Sequence, residues 1–246
     1  MSKDFEVHWE GRLPAAPEVV WDAITVHCGG WLWPITYEPG VGGAEGGLTA
    51  AGGTVIAWEP SRHFATRAAD GTGFNELDYR LEPSGTGTYL LYRHRGVMGG
   101  DYALELDACR RHTAFYYHSL GQYVRHFAGR EAVYGTAEAP EISAHGGFAT
   151  LRRALGVADD VAVGDRVRLT PAGPEPIEGV VDYADETFLG VRGTDALYRF
   201  YGRDAWEWPV GVAHHLFADG ADGADAAVGE TWQTWLDGVF ATEAVA

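Results

Sequence analysis

Between residues 54 and 95 the chain passes through four strand-like runs, 54–58, 63–67, 74–82 and 88–95, separated by short breaks. The breaks carry turn chemistry: Glu59-Pro60-Ser61, Asp70-Gly71-Thr72-Gly73 and Pro83-Ser84-Gly85. Parallel neighbours need a crossover of about a dozen residues or more. These strands must therefore follow one another antiparallel, and any fold has to be built around that meander.

Two other patterns flank it. Upstream, Phe5, Val7, Trp9, Gly11 and Leu13 alternate with Glu6, His8, Glu10 and Arg12, the period of a half-buried strand. Pro14 ends it, and Pro17 suits the first turn of a short helix over 17–26, where its missing N–H has no partner to lose. An aromatic turn, Gly29-Gly30-Trp31-Leu32-Trp33-Pro34, leads into a glycine-dense stretch at 40–53. No Gly-Lys-Ser/Thr follows that stretch, so it is not a phosphate loop. Downstream, residues 104–127 change to helical period: Phe115, Tyr116, Leu120, Tyr123, Val124 and Phe127 form a stripe, and Gly129 supplies a stop. Strand, helix, hairpin strands and long helix make an α+β pattern in which a sheet curls over a helix.

A weaker version of the pattern follows. Residues 136–146 read as a connector and 148–155 as a short helix. Runs at 166–169, 177–183, 187–191, 196–201 and 208–217 read as strands. An Asp-, Ala- and Gly-rich linker at 218–229 precedes a helix carrying Trp232, Trp235, Leu236 and Val239. Gly179-Val180-Val181-Asp182-Tyr183 echoes Gly53-Thr54-Val55-Ile56-Ala57-Trp58. The second set lacks an evident opening strand. The expected organisation is a first domain over 1–135, the connector, and a degenerate half-unit over 147–246 packed on the first.

Charge and cysteine content narrow the function. Acidic residues outnumber basic ones 35 to 18, a net charge of −17. Affinity for nucleic-acid backbones and anionic lipid comes largely from Lys and Arg, so neither is an expected partner. A homodimer or a protein with a basic surface stays open, and Trp206 and Trp208 look exposed enough to serve one. Cys28 and Cys109 are too few for a disulfide framework or a four-thiolate zinc site. His112, His118 and His126 lack i, i+4 spacing, and the adjacent His214 and His215 on a strand point to opposite faces. No metal or cofactor is expected. The start, Met1-Ser2-Lys3-Asp4-Phe5-Glu6, lacks the basic-then-apolar pattern of a secretion signal, and no run approaches the ~20 apolar residues of a spanning helix. The expected location is the cytoplasm.

Several segments carry a family resemblance. They are Ala16-Pro17-Glu18-Val19-Val20-Trp21-Asp22-Ala23-Ile24-Thr25 after the first strand, Gly53-Thr54-Val55 leading to Trp58-Glu59-Pro60, and Tyr79-Arg80-Leu81-Glu82-Pro83. Gly87-Thr88-Tyr89-Leu90-Leu91-Tyr92-Arg93-His94 and the helix from Arg110 through Tyr123 complete the set. Together, over residues 5–130, they resemble the SRPBCC, or START-like, superfamily. The branch named for activators of a heat-shock-protein ATPase, in its bacterial members, is the most similar. The resemblance implies a helix-grip fold, a curved antiparallel sheet around a long C-terminal helix, followed here by a second, reduced START-like unit. It implies little about activity, because the superfamily spans lipid and hormone carriers, cyclases and stress proteins.

That fold commonly leaves a cavity between sheet and helix, and aromatic walls with a few polar groups are the usual form of a small-molecule site. Leu90, Tyr92 and His94 share one strand face, and Leu77, Tyr79 and Leu81 another. His112 lies one turn before Tyr116, Trp31 and Trp33 can close the mouth, and Trp58 flanks it. The candidate ligand-binding residues are thus Trp31, Trp33, Trp58, Tyr79, Tyr92, His94, His112 and Tyr116, for a hydrophobic small molecule. Glu76, Asp78 and Arg80 fall on the alternate face and read as solvated. Cys109, beside Arg110, Arg111 and His112, sits where a thiol pKa can be lowered, yet reads as a small buried hydrophobe. No Gly-x-Ser-x-Gly elbow is present. The chain reads as a binding protein rather than an enzyme. The alternatives are a cyclase- or aromatase-type enzyme using His94 and His112 with Tyr, and a protein-interaction or stress-response module.

Overall fold

The structure, a computed structural model, describes residues 2–71, 73–217 and 225–241. The chain divides into two compact units, Met1–Glu131 and Ala132–Ala246. The hairpin tip at Thr72 and the first part of the 218–229 linker lie outside the described residues.

Unit 1 begins with β1 (Lys3–Leu13) and α1 (Pro17–Thr25), followed by β2 (Thr36–Tyr37) and β3 (Ala44–Gly46) within the aromatic and glycine-rich stretch. The meander is β4 (Gly53–Glu59), β5 (His63–Asp70), β6 (Gly73–Ser84) and β7 (Gly87–Met98), and α2 (Tyr102–His126) follows. The sheet order is β1-β7-β6-β5-β4-β3-β2, antiparallel throughout. β1 closes the meander by pairing with β7 from Lys3↔Met98 to Leu13↔Thr88. The inward face of β1 buries Phe5, Val7 and Leu13, as its alternation requires.

The long helix starts where Asp101 accepts backbone N–H bonds from Ala103 and Leu104, and Arg125 and His126 complement its C-terminal dipole. Its buried side includes Ala108, Phe115, Tyr117, Leu120 and Tyr123. Gly30 admits Tyr123 at close range: a Cβ there would lie 2.4 Å from the Tyr123 ring.

The other face of the sheet differs from the sequence reading. Arg67, Glu76, Arg95 and Glu6 stand opposite one another across β5, β6, β7 and β1. Glu76 is buried, paired with Arg67 at 2.8 Å and with Arg95. Burial raises its pKa, and the hydrogen bonds from Arg95 and Arg67 outweigh that, holding the carboxyl below its ordinary value. Alternation placed Glu76 on the outer face correctly; the arginine stems on adjacent strands then covered it.

Unit 2 repeats the connectivity of unit 1 with one strand fewer. It runs β8 (Val133–Glu138), α3 (Gly147–Ala154), β9 (Arg166–Leu169), β10 (Ile177–Ala184), β11 (Phe188–Arg192), β12 (Ala196–Tyr201), β13 (Gly211–Leu216) and α4 (Asp225–Ala241). The order β8-β13-β12-β11-β10-β9 again pairs the first strand with the last, from Val133↔Leu216 to Glu138↔Gly211. So an opening strand does exist, and residues 136–138 of the expected connector belong to it. Its inward positions are Val133, Gly135 and Ala137, too small to mark a strand in the sequence. α4 begins at Asp225, inside the expected linker. Trp206 is 1% exposed, against the sequence reading, because it packs on Phe188; Trp208 is 39% exposed.

Candidate functional site

The inward residues of β6 and β7 meet in register, Tyr79 opposite Tyr92 and Leu77 opposite His94. α2 presents Cys109, His112, Thr113, Tyr116 and Tyr117 toward them, the i, i+3, i+4, i+7, i+8 stripe of one helical face. Trp31, Leu32 and Trp33, from the turn after α1, and Leu48, after β3, complete a cavity of about 190 Å³. Seven of the eight sequence-predicted residues line it: Trp31, Trp33, Tyr79, Tyr92, His94, His112 and Tyr116.

Trp58 does not. It stands on the same sheet face, opposite Phe64. There α1 brings Trp21 edge-on at 5.0 Å between ring centroids, and Trp58 packs into that contact instead. Three lining residues were missed on α2, namely Cys109, Thr113 and Tyr117, although they share the stripe of His112 and Tyr116. Asn75, two residues before Leu77 on the same face of β6, also lines the cavity, and as a polar residue it carries no apolar signal in the sequence.

The walls are mostly aromatic. Tyr117 lies 4.6 Å from Tyr92 and Trp31 5.7 Å from Tyr117, centroid to centroid. Trp31 Nε1 donates to the Ala23 carbonyl at 2.9 Å, which ties this wall to α1. At the rim Trp33 stands edge to face on Tyr116, 5.8 Å away, and donates to the Gly47 carbonyl at 2.9 Å. The Tyr117 hydroxyl hydrogen-bonds those of Tyr79 and Tyr92, and burial raises the pKa of all three. They are neutral groups at any physiological pH.

One corner is polar. His94 Nε2 lies 2.5 Å from Asn75 Oδ1, and its Nδ1 lies 3.6 Å from Cys109 Sγ. Phe5 stands edge-on to the imidazole at 4.8 Å. Gly96 makes room for this: a Cβ there would come within 2.7 Å of the Phe5 ring. Burial lowers the His94 pKa to about 4 and raises that of Cys109 to about 11, the latter opposed by a Thr113 hydrogen bond and the Arg110 charge. Both are neutral at pH 7, so the thiol is not the lowered one its sequence neighbours suggest.

In unit 2, described residues of the sheet and of the C-terminal helix pack directly on one another. His214 of β13 and Phe200 of β12 pack on Trp232 of α4, with centroids 4.5 and 6.0 Å away. Two depressions of about 560 and 590 Å³ on this unit are more open to solvent and lack convergent aromatic groups. Among the described residues no three His, Cys, Asp or Glu gather as metal ligands, and no helix is long and apolar enough to cross a membrane.

No family model matches the sequence, and no curated protein matches it either. Solved structures give remote likenesses. CalU16 from Micromonospora echinospora is 19% identical over 50% of this chain and 86% of its own, with a TM-score of 0.40. The Aha1 dimer from Colwellia psychrerythraea is 18% identical over 49% of this chain and 96% of its own, at 0.40. DynU16, described as a protein of the dynemicin biosynthetic locus, is 15% identical over 98% of both chains, at 0.42. Scores below 0.5 decide nothing about this chain, and its own coordinates establish the conclusion: it is an α+β protein with two curved antiparallel sheets, the first gripping a long helix across an aromatic cavity.

Proposed function

We propose that the chain is a START-like binding protein whose first unit holds one small apolar molecule, about the size of a single aromatic ring. The observation that carries this reading is the cavity between β6, β7 and α2, walled by Trp31, Tyr79, Tyr92 and Tyr117. Its size narrows the ligand. Common small-molecule sites span roughly 300–1,000 Å³, whereas a cavity near ~150 Å³ takes one benzene. At about 190 Å³, the space fits a ring with a short substituent. An enzyme of the cyclase kind would draw on the same His94 and Tyr92, and the volume limits its substrate in the same way.

Titration with fluorobenzene followed by ¹⁹F NMR tests the proposal. Saturable exchange broadening is expected, and it should be lost in Leu48→Trp, which puts an indole at the half-buried rim. A titration that never saturates removes the binding reading and leaves only the fold.

A further inference from the structure

The corner formed by Asn75, His94 and Cys109 contains more chemistry than a binding wall needs. Three elements, β6, β7 and α2, each contribute one residue. The Nε2 hydrogen of His94 is committed to Asn75 Oδ1 at 2.5 Å, which leaves Nδ1 as the acceptor facing Cys109 Sγ at 3.6 Å. Phe5 holds the imidazole from its other side, and Asn75, His94 and Cys109 all line the cavity. A nucleophile, a base beside it and a third group that sets the base's tautomer are the parts of an activated thiol. An apolar core would have used a leucine at position 94, because a desolvated imidazole costs free energy unless both nitrogens are used.

We propose that Cys109 is a nucleophile, with His94 as its general base and Asn75 as the positioning residue, and that the cavity captures a small α,β-unsaturated carbonyl compound covalently. This deepens the binding reading and rests on it. In the capture step His94 Nδ1 takes the thiol proton as Sγ bonds to the β-carbon of the ligand. The π pair of the C=C bond moves through the conjugated system to the carbonyl oxygen, forming an enolate. The proton on Nδ1 then returns to the α-carbon and restores the carbonyl. The net change is addition of S–H across C=C, with no oxidant, reductant or leaving group.

Both partners rest neutral, since charge separation between apolar walls is unfavourable; the thiolate forms only as the new bond does. The other titratable groups around the pair are Tyr92 on β7 and Arg110, His112, Tyr116 and Tyr117 on α2, with Tyr79 further along β6. β6 and β1 turn Asn75 and Phe5 toward it, and neither titrates.

Phenyl vinyl ketone is the probe, and propiophenone its unreactive saturated analogue. Intact-mass and peptide-mapping experiments on the full chain should find one adduct, at Cys109, with the fully buried Cys28 unlabelled. Base-assisted attack makes the alkylation rate nearly flat between about pH 6 and 9, whereas attack by free thiolate rises about tenfold per pH unit. His94→Ala should slow labelling by about 10²-fold or more and restore the steep dependence. Asn75→Leu, which leaves base and thiol in place, should slow it by a smaller factor without steepening it. A steep profile in the unaltered protein overturns the proposal, even if neither variant folds, and so does equal labelling of Cys28. Propiophenone separates the two readings. If it binds the unaltered protein and Cys109→Ala alike while phenyl vinyl ketone gives no adduct, binding stands and capture falls. If it binds neither, both fall.

Discussion

His214 and Trp232 stand edge to face in unit 2, 4.5 Å between ring centroids and 75° between planes. In unit 1, His94 of the last strand looks across to Cys109 of α2. In each unit a histidine on the last strand faces the C-terminal helix. An indole follows in one case and a thiol beside an open space in the other.

Trp232→Ala should therefore hollow the second unit. Removing a buried Trp side chain costs about 3–5 kcal/mol, which urea denaturation would read as a lower midpoint. Added indole should raise the melting temperature of the variant and leave that of the unaltered protein unchanged. Equal response of both would mean that the space collapses when the ring is removed.

Acid should weaken the protein before its carboxylates titrate. Burial lowers the His94 pKa from 6.5 to about 4, and burial with the His215 and Arg199 charges lowers that of His214 to about 3. Above pH 6.5 both rings are neutral folded or unfolded, and this stability is complete. Below it the unfolded chain takes up protons that the folded one refuses, so unfolding gains up to about 1.4 kcal/mol per pH unit for each histidine. The loss runs down to about pH 4 for His94 and about pH 3 for His214. Urea midpoints at pH 7.5, 6 and 5 should fall in order, and His94→Leu should flatten the trend. Midpoints that do not move with pH would count against it.

Asp182 and Arg199 form a buried two-point ion pair, Nη1 to Oδ1 at 3.0 Å and Nη2 to Oδ2 at 2.9 Å. Removing one member strands the other charge, so Asp182→Ala should cost about 3–5 kcal/mol. Replacing both, as Asp182→Leu with Arg199→Met, should cost far less, because two desolvation penalties vanish with the pair. A double variant as unstable as the single one would mean that the pair does more than offset its own burial.

Trp31→Phe removes the hydrogen bond to Ala23 and leaves that carbonyl without its donor. A loss of about 1–3 kcal/mol is expected. The ligand effect should be separate: the cavity widens on that side, and affinity should shift toward two-ring compounds in the same NMR titration. Unchanged ring-size preference would show that Trp31 anchors the turn without shaping the ligand space.

The local periods alone determined most of the framework. Two-residue alternation and short polar breaks forced the antiparallel meander, helical spacing marked α2, and the runs at 166–169 and 196–201 coincide with β9 and β12. Alternation also set the inward faces, which is why Tyr79, Tyr92 and His94 were recognised together. What depends on distant partners was not legible. β8 lacks large side chains on its inward face and is defined by pairing with β13, more than seventy residues away. Glu76 looked solvated until arginines on two other strands enclosed it, and Trp58 packs on Trp21 of α1 instead of lining the cavity. The cavity volume and the meeting of Asn75, His94 and Cys109 rest on how far α2 stands from the sheet. Side-chain packing across three elements sets that spacing, and no single segment encodes it.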